Sequence, residues 1–216
     1  ADDARVDWAS GHYRGDEKLD PSDLIATFSD GVDDDGNGYI DDISGWDFFE
    51  RDNNAVHTLE DGFGNHGTGV AREAAAEGNN GGDIGHCPNC AILPLRVGDT
   101  FITSGGRSAE AILYATDMGA TSVTLAVGAL SNSEATTEAA RYAFDHGTLL
   151  AGAAGDENAY HHNFPAVLDD IAYVHSITHN TSNSTGGVYS YMNTWNCNNF
   201  GARMSFVTAS GACATG

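Results

Sequence analysis

The apolar positions of the chain fall into two regimes that meet near residue 65. Residues 1–30 are polar, with scattered Asp and Gly and little periodicity, and predict mostly loop with a short helix near Ser22–Phe28. Residues 31–63 set Gly and Asp at turn positions around the apolar pairs Tyr39-Ile40 and Phe48-Phe49, which predicts a ligand-holding loop followed by a short strand. Beyond residue 65, helical and apolar stretches alternate. His66–Glu77 is Ala-rich and helical, and Ala91–Val97 is an apolar strand with Pro94 near an edge or bulge. Ser108–Met118 is an amphipathic helix with Ser108 and Glu110 suited to its first turn, and Thr121–Val127 is a β-branched strand. Ser133–His146 reads as a Ser-capped helix ending before Gly147, followed by strands at Thr148–Ala154 and Ile171–His175. This rhythm predicts one α/β domain over residues 1–216, with a mostly parallel sheet and helices on both faces. Such sheets place their chemistry at the carboxyl ends of their strands.

Composition sharpens this picture through charge. Thirty-one acids face nine bases, a formal net charge of −22, and 18 of the acids precede residue 62. Phosphate backbones need clustered Lys and Arg, so nucleic acid is not expected as a partner. The acidity suits cation binding or solubility in a salty medium, and Lys18 is the single lysine. No run of about 18 apolar residues exists, so no membrane partner is expected. No charged-then-apolar leader opens the sequence, so an export signal is expected to lie outside it.

Three local patterns carry candidate chemistry. His66 opens a helix after a Gly-rich acidic loop, in Asn65-His66-Gly67-Thr68-Gly69; the backbone holds such a histidine, and a carboxylate can fix its tautomer, as a general base requires. Asp33, Asp35 and Asn37 supply oxygens at alternate positions, followed by Gly38, the Tyr39 carbonyl and Asp41. That spacing matches an EF-hand-type loop and predicts bound Ca2+, with Asp42 able to substitute. The twelfth position is Ser44 rather than Glu, so an isolated site is expected, not a sensor. Cys87-Pro-Asn-Cys90 can be half a zinc site, a redox pair or a local disulfide, and Cys197 and Cys213 do not repeat the spacing. With the acidic surface, an oxidising, extracellular setting and a secreted protein are expected.

Taken in order, several stretches resemble the subtilisin-like serine proteases, the subtilases. They are Asp34-Asp-Gly-Asn-Gly-Tyr-Ile-Asp-Asp42 with Gly45-Trp46-Asp47-Phe48, Asn65-His66-Gly67-Thr68, Cys87–Val97, Ala153-Ala154-Gly155, Asn163-Phe-Pro165-Ala166 and Asn199-Phe-Gly201. The resemblance implies a three-layer subtilisin-like fold, a peptide or protein substrate, and acyl transfer, in which His takes a serine proton and amide donors hold the oxyanion. By that resemblance His66 is the general base and Asp3 its orienting acid, with Asp2 as the register alternative. Ala126, Val127 and Gly128 would pair with substrate, Ser104 and Gly105 would form the opposite substrate strand, and Ala153, Ala154 and Gly155 would line the cleft. Asp156 falls on the oxyanion position.

The chain departs from the family pattern at three single positions and in one whole motif. Asp156 stands where the family has Asn, Arg5 replaces a Gly beside the acid, and Gly69 replaces a second His. The nucleophile motif Gly-Thr-Ser-x-Ala-x-Pro does not occur, and Ser210 is the one local stand-in. Both ends therefore read as cut. Two expectations follow: an endopeptidase whose serine lies on a C-terminal companion fragment, or an inactive subtilase-fold module that holds peptides. Either way, these 216 residues alone are expected to be inactive. The His161-His162 pair, and His175 with His179, are expected to be solvated or hydrogen-bonded rather than metal-bound. Asn180 and Asn183 lie in glycosylation sequons.

Overall fold

The structure, a computed structural model, describes residues 21–56, 66–79, 81–157, 159–177, 199, 201 and 206–209. The chain divides into two units: residues 1–59 with 71–97, and residues 60–70 with 98–216.

In the first unit, α1 (Pro21–Phe28) starts on a proline and carries Asp23 in its first turn. Proline is pre-set for the first helical position, and an acid there complements the helix dipole. The acidic loop follows, turning at Gly36 (φ +73°) and Gly38 (φ +93°). β1 (Trp46–Asp47) then pairs in parallel with β2 (Leu95–Arg96), Trp46 opposite Leu95. The seven-residue strand expected at Ala91–Val97 is thus reduced to two residues. Pro94 has no N–H to extend the ladder, although its carbonyl still accepts from Trp46 N at 3.3 Å. Gly45 (φ +95°) lies against that carbonyl, where any side chain would collide. Trp46 and Phe48 are buried, and Tyr39 packs edge-on against both, with centroids 5.2 and 5.6 Å away. Asp47 is 1% exposed and pairs with the Arg96 guanidinium. Cys87 and Cys90 form a disulfide.

α2 (His66–Ala75) is two residues shorter than the sequence suggested. Its end is fixed as the chain doubles back, with Gly85, His86 and Cys87 donating to Ala76, Glu73 and Ala74 carbonyls at 2.7–3.0 Å.

The second unit is built on four parallel strands in the order β3 (Ser122–Leu125), β4 (Leu149–Ala153), β5 (Ala172–Ile177) and β6 (Phe206–Ala209). Two helices, α3 (Gly105–Asp117) and α4 (Glu134–Asp145), pack on each other, and α4 packs on β4. α4 begins where expected because the Ser133 side chain accepts from Thr136 N at 3.1 Å. It ends at Gly147 (φ +82°), a conformation glycine adopts without strain. α3 starts three residues earlier than expected, with Ser104 as its cap. Ile112 and Leu150 are fully buried among Ala109, Leu125, Ala139, Ala140, Ala143 and Ile171. Each contributes on the order of 1.5–3 kcal/mol of burial. A second cluster joins Ala154, Ala166 and Tyr173. The architecture is the expected α/β one, parallel sheets flanked by helices.

Candidate active site

The parallel register of β3 on β4 sets Leu125 opposite Gly152, so both strands finish at the same end of the sheet. The segments continuing from them, Ala126–Gly128 and Ala153–Gly155, are the ones the sequence marked for substrate binding. A buried side chain joins them. Asn163, 6% exposed, donates through Nδ2 to the Ala153 carbonyl at 2.7 Å and the Val127 carbonyl at 3.4 Å. Gly128 has no Cβ where that side chain lies, and next to it Ala129 N donates to Phe164 O at 2.8 Å.

His66, the first residue of α2, brings its Nε2 to 3.0 Å from the Ala126 carbonyl. A carbonyl only accepts, so Nε2 carries the proton in this contact. The Phe101 ring meets the imidazole edge-on, with centroids 4.6 Å apart. Phe101 belongs to the segment that occupies Gly128: Gly128 N donates to Phe101 O at 2.7 Å, and Thr103 N donates to Gly128 O at 2.9 Å. Ser104 and Gly105, the expected opposite strand, stand instead at the N-terminus of α3, where the Gly105 carbonyl accepts from Thr136 Oγ1 at 2.8 Å. The edge facing Gly128 is therefore Phe101–Thr103. Its apolar Phe-Ile pair, followed by Thr, was the available signal.

After β4 the chain turns at Gly155 (φ +89°) and leaves Asp156 exposed. Asn199, fully buried, hydrogen-bonds the backbone on both sides of Asp156. His161 Nδ1 lies 3.7 Å from Glu157 Oε2, and His162 stacks obliquely near Tyr160. His175 is buried edge-on to Tyr173, and burial lowers its pKa from the usual 6.5. Among the described residues, no three His, Cys, Asp or Glu side chains converge as a metal cluster, and no helix is long and apolar enough to cross a membrane. Asp2, Asp3, Arg5, Ser210, Cys197, Cys213, His179, Asn180 and Asn183 lie outside the described residues.

In the acidic loop of the first unit, the Asp33 carboxylate accepts from the backbone N–H groups of Gly36, Asn37 and Gly38 at 2.8–3.1 Å. The Gly38 bond above all lowers its pKa. Asp35 also accepts from Asn37 N, and the Asn37 amide spans Asp35 and Asp42 at 3.1 and 2.8 Å. Asp41 faces another way, its two oxygens taking Asp30 N and Gly31 N at 2.9 and 3.0 Å. Asn37 thus links Asp35 and Asp42 within one turn, Asp33 caps the backbone of that turn, and Asp41 fastens its stem. Carboxylate oxygens are the donor type that a hard cation such as Ca2+ takes, and here N–H groups occupy them.

The Subtilase family model matches residues 10–215. Thermitase of Thermoactinomyces vulgaris is 32% identical over 68% of this chain and 52% of its own length. A thermophilic serine proteinase of Bacillus sp. strain AK1 is 35% identical over 62% of this chain and 33% of its own. The chain thus spans about half or less of the length of these curated relatives. A solved protease structure from Pseudoalteromonas arctica superposes with a TM-score of 0.54 at 24% identity, covering 68% of this chain and 44% of that one. At that identity the likeness speaks for the fold.

Proposed function

Because the chain belongs to the subtilase family, we propose that it forms part of a serine endopeptidase that hydrolyses peptide bonds by acyl transfer. The observation that carries this reading is His66 seated on the Ala126 carbonyl, directly at the strand end where a peptide would pair. In the reaction, an imidazole nitrogen takes the proton of a serine hydroxyl as its oxygen bonds to the scissile carbonyl carbon. The proton then passes to the leaving amine as the C–N bond breaks, and water releases the acyl group by the same steps in reverse. His66 must let go of the Ala126 carbonyl to present a free Nε2 lone pair. Asp3 would hold the other ring nitrogen. The serine would reside on polypeptide outside these 216 residues, a companion segment, which the missing Gly-Thr-Ser motif supports.

The acidic loop supports a Ca2+ site of Asp33, Asp35, Asn37 and the Tyr39 carbonyl, with Asp42 taking the place expected of Asp41. Bound there, the cation would neutralise the carboxylates and rigidify the loop. Secretion is supported by the Cys87–Cys90 disulfide, which persists in oxidising compartments. A second reading, a peptide-holding module without cleavage, is favoured by the acid at Asp156, which lacks the donor that an oxyanion needs.

The test is to treat the natural polypeptide containing this chain with a serine-directed covalent probe and to assay amidase activity. Labelling of a fragment that carries a Gly-Thr-Ser motif, with loss of activity, is expected. No labelling and no activity would refute the peptidase reading and leave the module.

A further inference from the structure

Asn199 is fully buried, and among the described residues its polar contacts go to the segment that follows β4. Its backbone N–H donates to the Gly155 carbonyl at 3.0 Å. Its Nδ2 donates to the Ala154 carbonyl at 3.1 Å and to Glu157 Oε2, and lies 3.4 Å from His161 Nδ1. Its Oδ1 accepts from Ala159 N at 3.2 Å. These bonds fix the backbone before and after Asp156 while leaving Asp156 itself exposed. Two glycines make the grip possible. A Cβ on Gly155 would come 2.6 Å from Asn199 Nδ2, and Gly201 (φ +98°) gives way where the Tyr160 ring presses against it. The motif Asn199-x-Gly201 therefore clasps the turn that follows β4 from the far end of the chain.

We propose that Asn199 is a positioning residue for the oxyanion-stabilising turn, holding the Gly155 carbonyl, the Glu157 side chain and the Ala159 N–H so that the groups around Asp156 meet the developing negative charge. The proposal rests on the peptidase reading above. A side chain that merely stabilised the fold would change the amount of folded enzyme, whereas one that places transition-state groups changes kcat and leaves KM alone. Misplacing such a turn by about an ångström costs on the order of 10²-fold in rate. Asn is suited to the task because its amide both donates and accepts; Asp in its place would accept from Ala159 N but face Glu157 and the Ala154 carbonyl with no donor.

The experiment compares Asn199→Ala, Asn199→Asp and the double variant Asn199→Asp/Glu157→Gln with the unsubstituted natural polypeptide. A chromogenic peptide amide is the substrate, and rates are expressed per site titrated with a serine-directed probe. For Asn199→Ala, kcat is expected to fall about 10–100-fold with KM nearly unchanged. Asn199→Asp is expected to fall at least as far, and Glu157→Gln to restore part of the loss, because the Gln amide can donate to the new carboxylate. If Asn199→Ala does not fold, Asn199→Ser is read in the same way. A kcat per titrated site within about threefold of the parent would overturn the proposal, as would a loss appearing equally in KM. If the parent neither titrates nor cleaves, the peptidase reading has failed and the inference falls with it. A parent that titrates and cleaves, with an unaffected variant, overturns the inference alone.

Discussion

Asp47 and Arg96 offer a measurable test of what holds the first unit together. Asp47 is 1% exposed and the Arg96 side chain 9%, so the ion pair between them is buried. Asp47 Oδ1 also accepts from Phe49 N at 2.7 Å and Glu50 N at 2.9 Å, and the guanidinium lies 4.9 Å from the Phe49 ring centre. Removing one partner of a buried pair leaves the other charge desolvated and unpaired, which costs about 3–5 kcal/mol. Asp47→Ala removes the turn bonds as well and is expected at the upper end of that range. Arg96→Met keeps the stem's packing, and Asp47 retains two backbone donors, so a smaller loss of about 2–3 kcal/mol is expected. Because each single variant strands the other's partner, the double variant should cost less than the sum, with a coupling of about 1–3 kcal/mol. The assay is urea denaturation at neutral pH, with midpoints compared at constant m. Between about 0.05 and 0.5 M NaCl the coupling should change little, since buried pairs escape most screening. Additivity within about 0.5 kcal/mol would refute the reasoning and reduce the pair to a contact without net effect.

Two further outcomes are expected. Removing calcium with a chelator should lower Tm, by an amount equivalent to about 2.7 kcal/mol if free Ca2+ stood at 100 times Kd; Asp33→Asn should abolish the shift, and an unchanged Tm in the unsubstituted protein would eliminate the site. His175 titrates below its usual 6.5 because burial disfavours its charged form, so the unfolded chain binds the proton first as pH falls. Its stabilising contribution is therefore complete above pH 6.5 and is lost as pH drops through the lower folded pKa, with a slope of at most about 1.4 kcal/mol per pH unit; His175→Phe should flatten the stability curve between pH 5 and 7, and an unaltered slope would contradict the assignment.

What the sequence made legible was decided by local chemistry. α4 and β4 fell within a residue of expectation, because Ser133, Gly147 and a short apolar run each act on their immediate neighbours. α3 was placed three residues late, since Gly105-Gly106 disfavours helix in isolation, yet Gly105 is needed where Ser133 and Thr136 crowd it. β2 was overestimated because apolar character at Ala91–Val97 says nothing of which N–H groups find a partner. β6 emerged only from its pairing with β5. At the site, the expectations for His66 and the strand ends came from contiguous motifs, and the structure sets His66 Nε2 on the Ala126 carbonyl. Asn199, Asn163 and Phe101 were not assigned roles, because each acts on partners outside its own motif, 10 to 45 residues away in sequence.

On the peptidase reading proposed above, two features would oppose cleavage, and their magnitudes separate them. The first is the closed edge, where Phe101–Thr103 takes both backbone groups of Gly128. A peptide strand pairing there would replace those two bonds with two of its own, leaving mainly the Phe101–His66 ring contact to be lost, about 0.5–1.5 kcal/mol. That lowers affinity roughly tenfold at most, and it does not forbid turnover. The second would be Asp156, which falls on the oxyanion position by resemblance to the family. The loss of one oxyanion donor costs about 10²–10³ in kcat, and a carboxylate offers no N–H in its place. Asp156→Asn should therefore raise kcat by at least that factor with KM nearly unchanged, whereas Phe101→Ala should move KM and leave kcat alone. Both are read as initial rates on one peptide amide, per site titrated. A fall in kcat for Asp156→Asn would show that the acid serves the reaction rather than hindering it, and the case for a non-cleaving module would lose the observation that favours it.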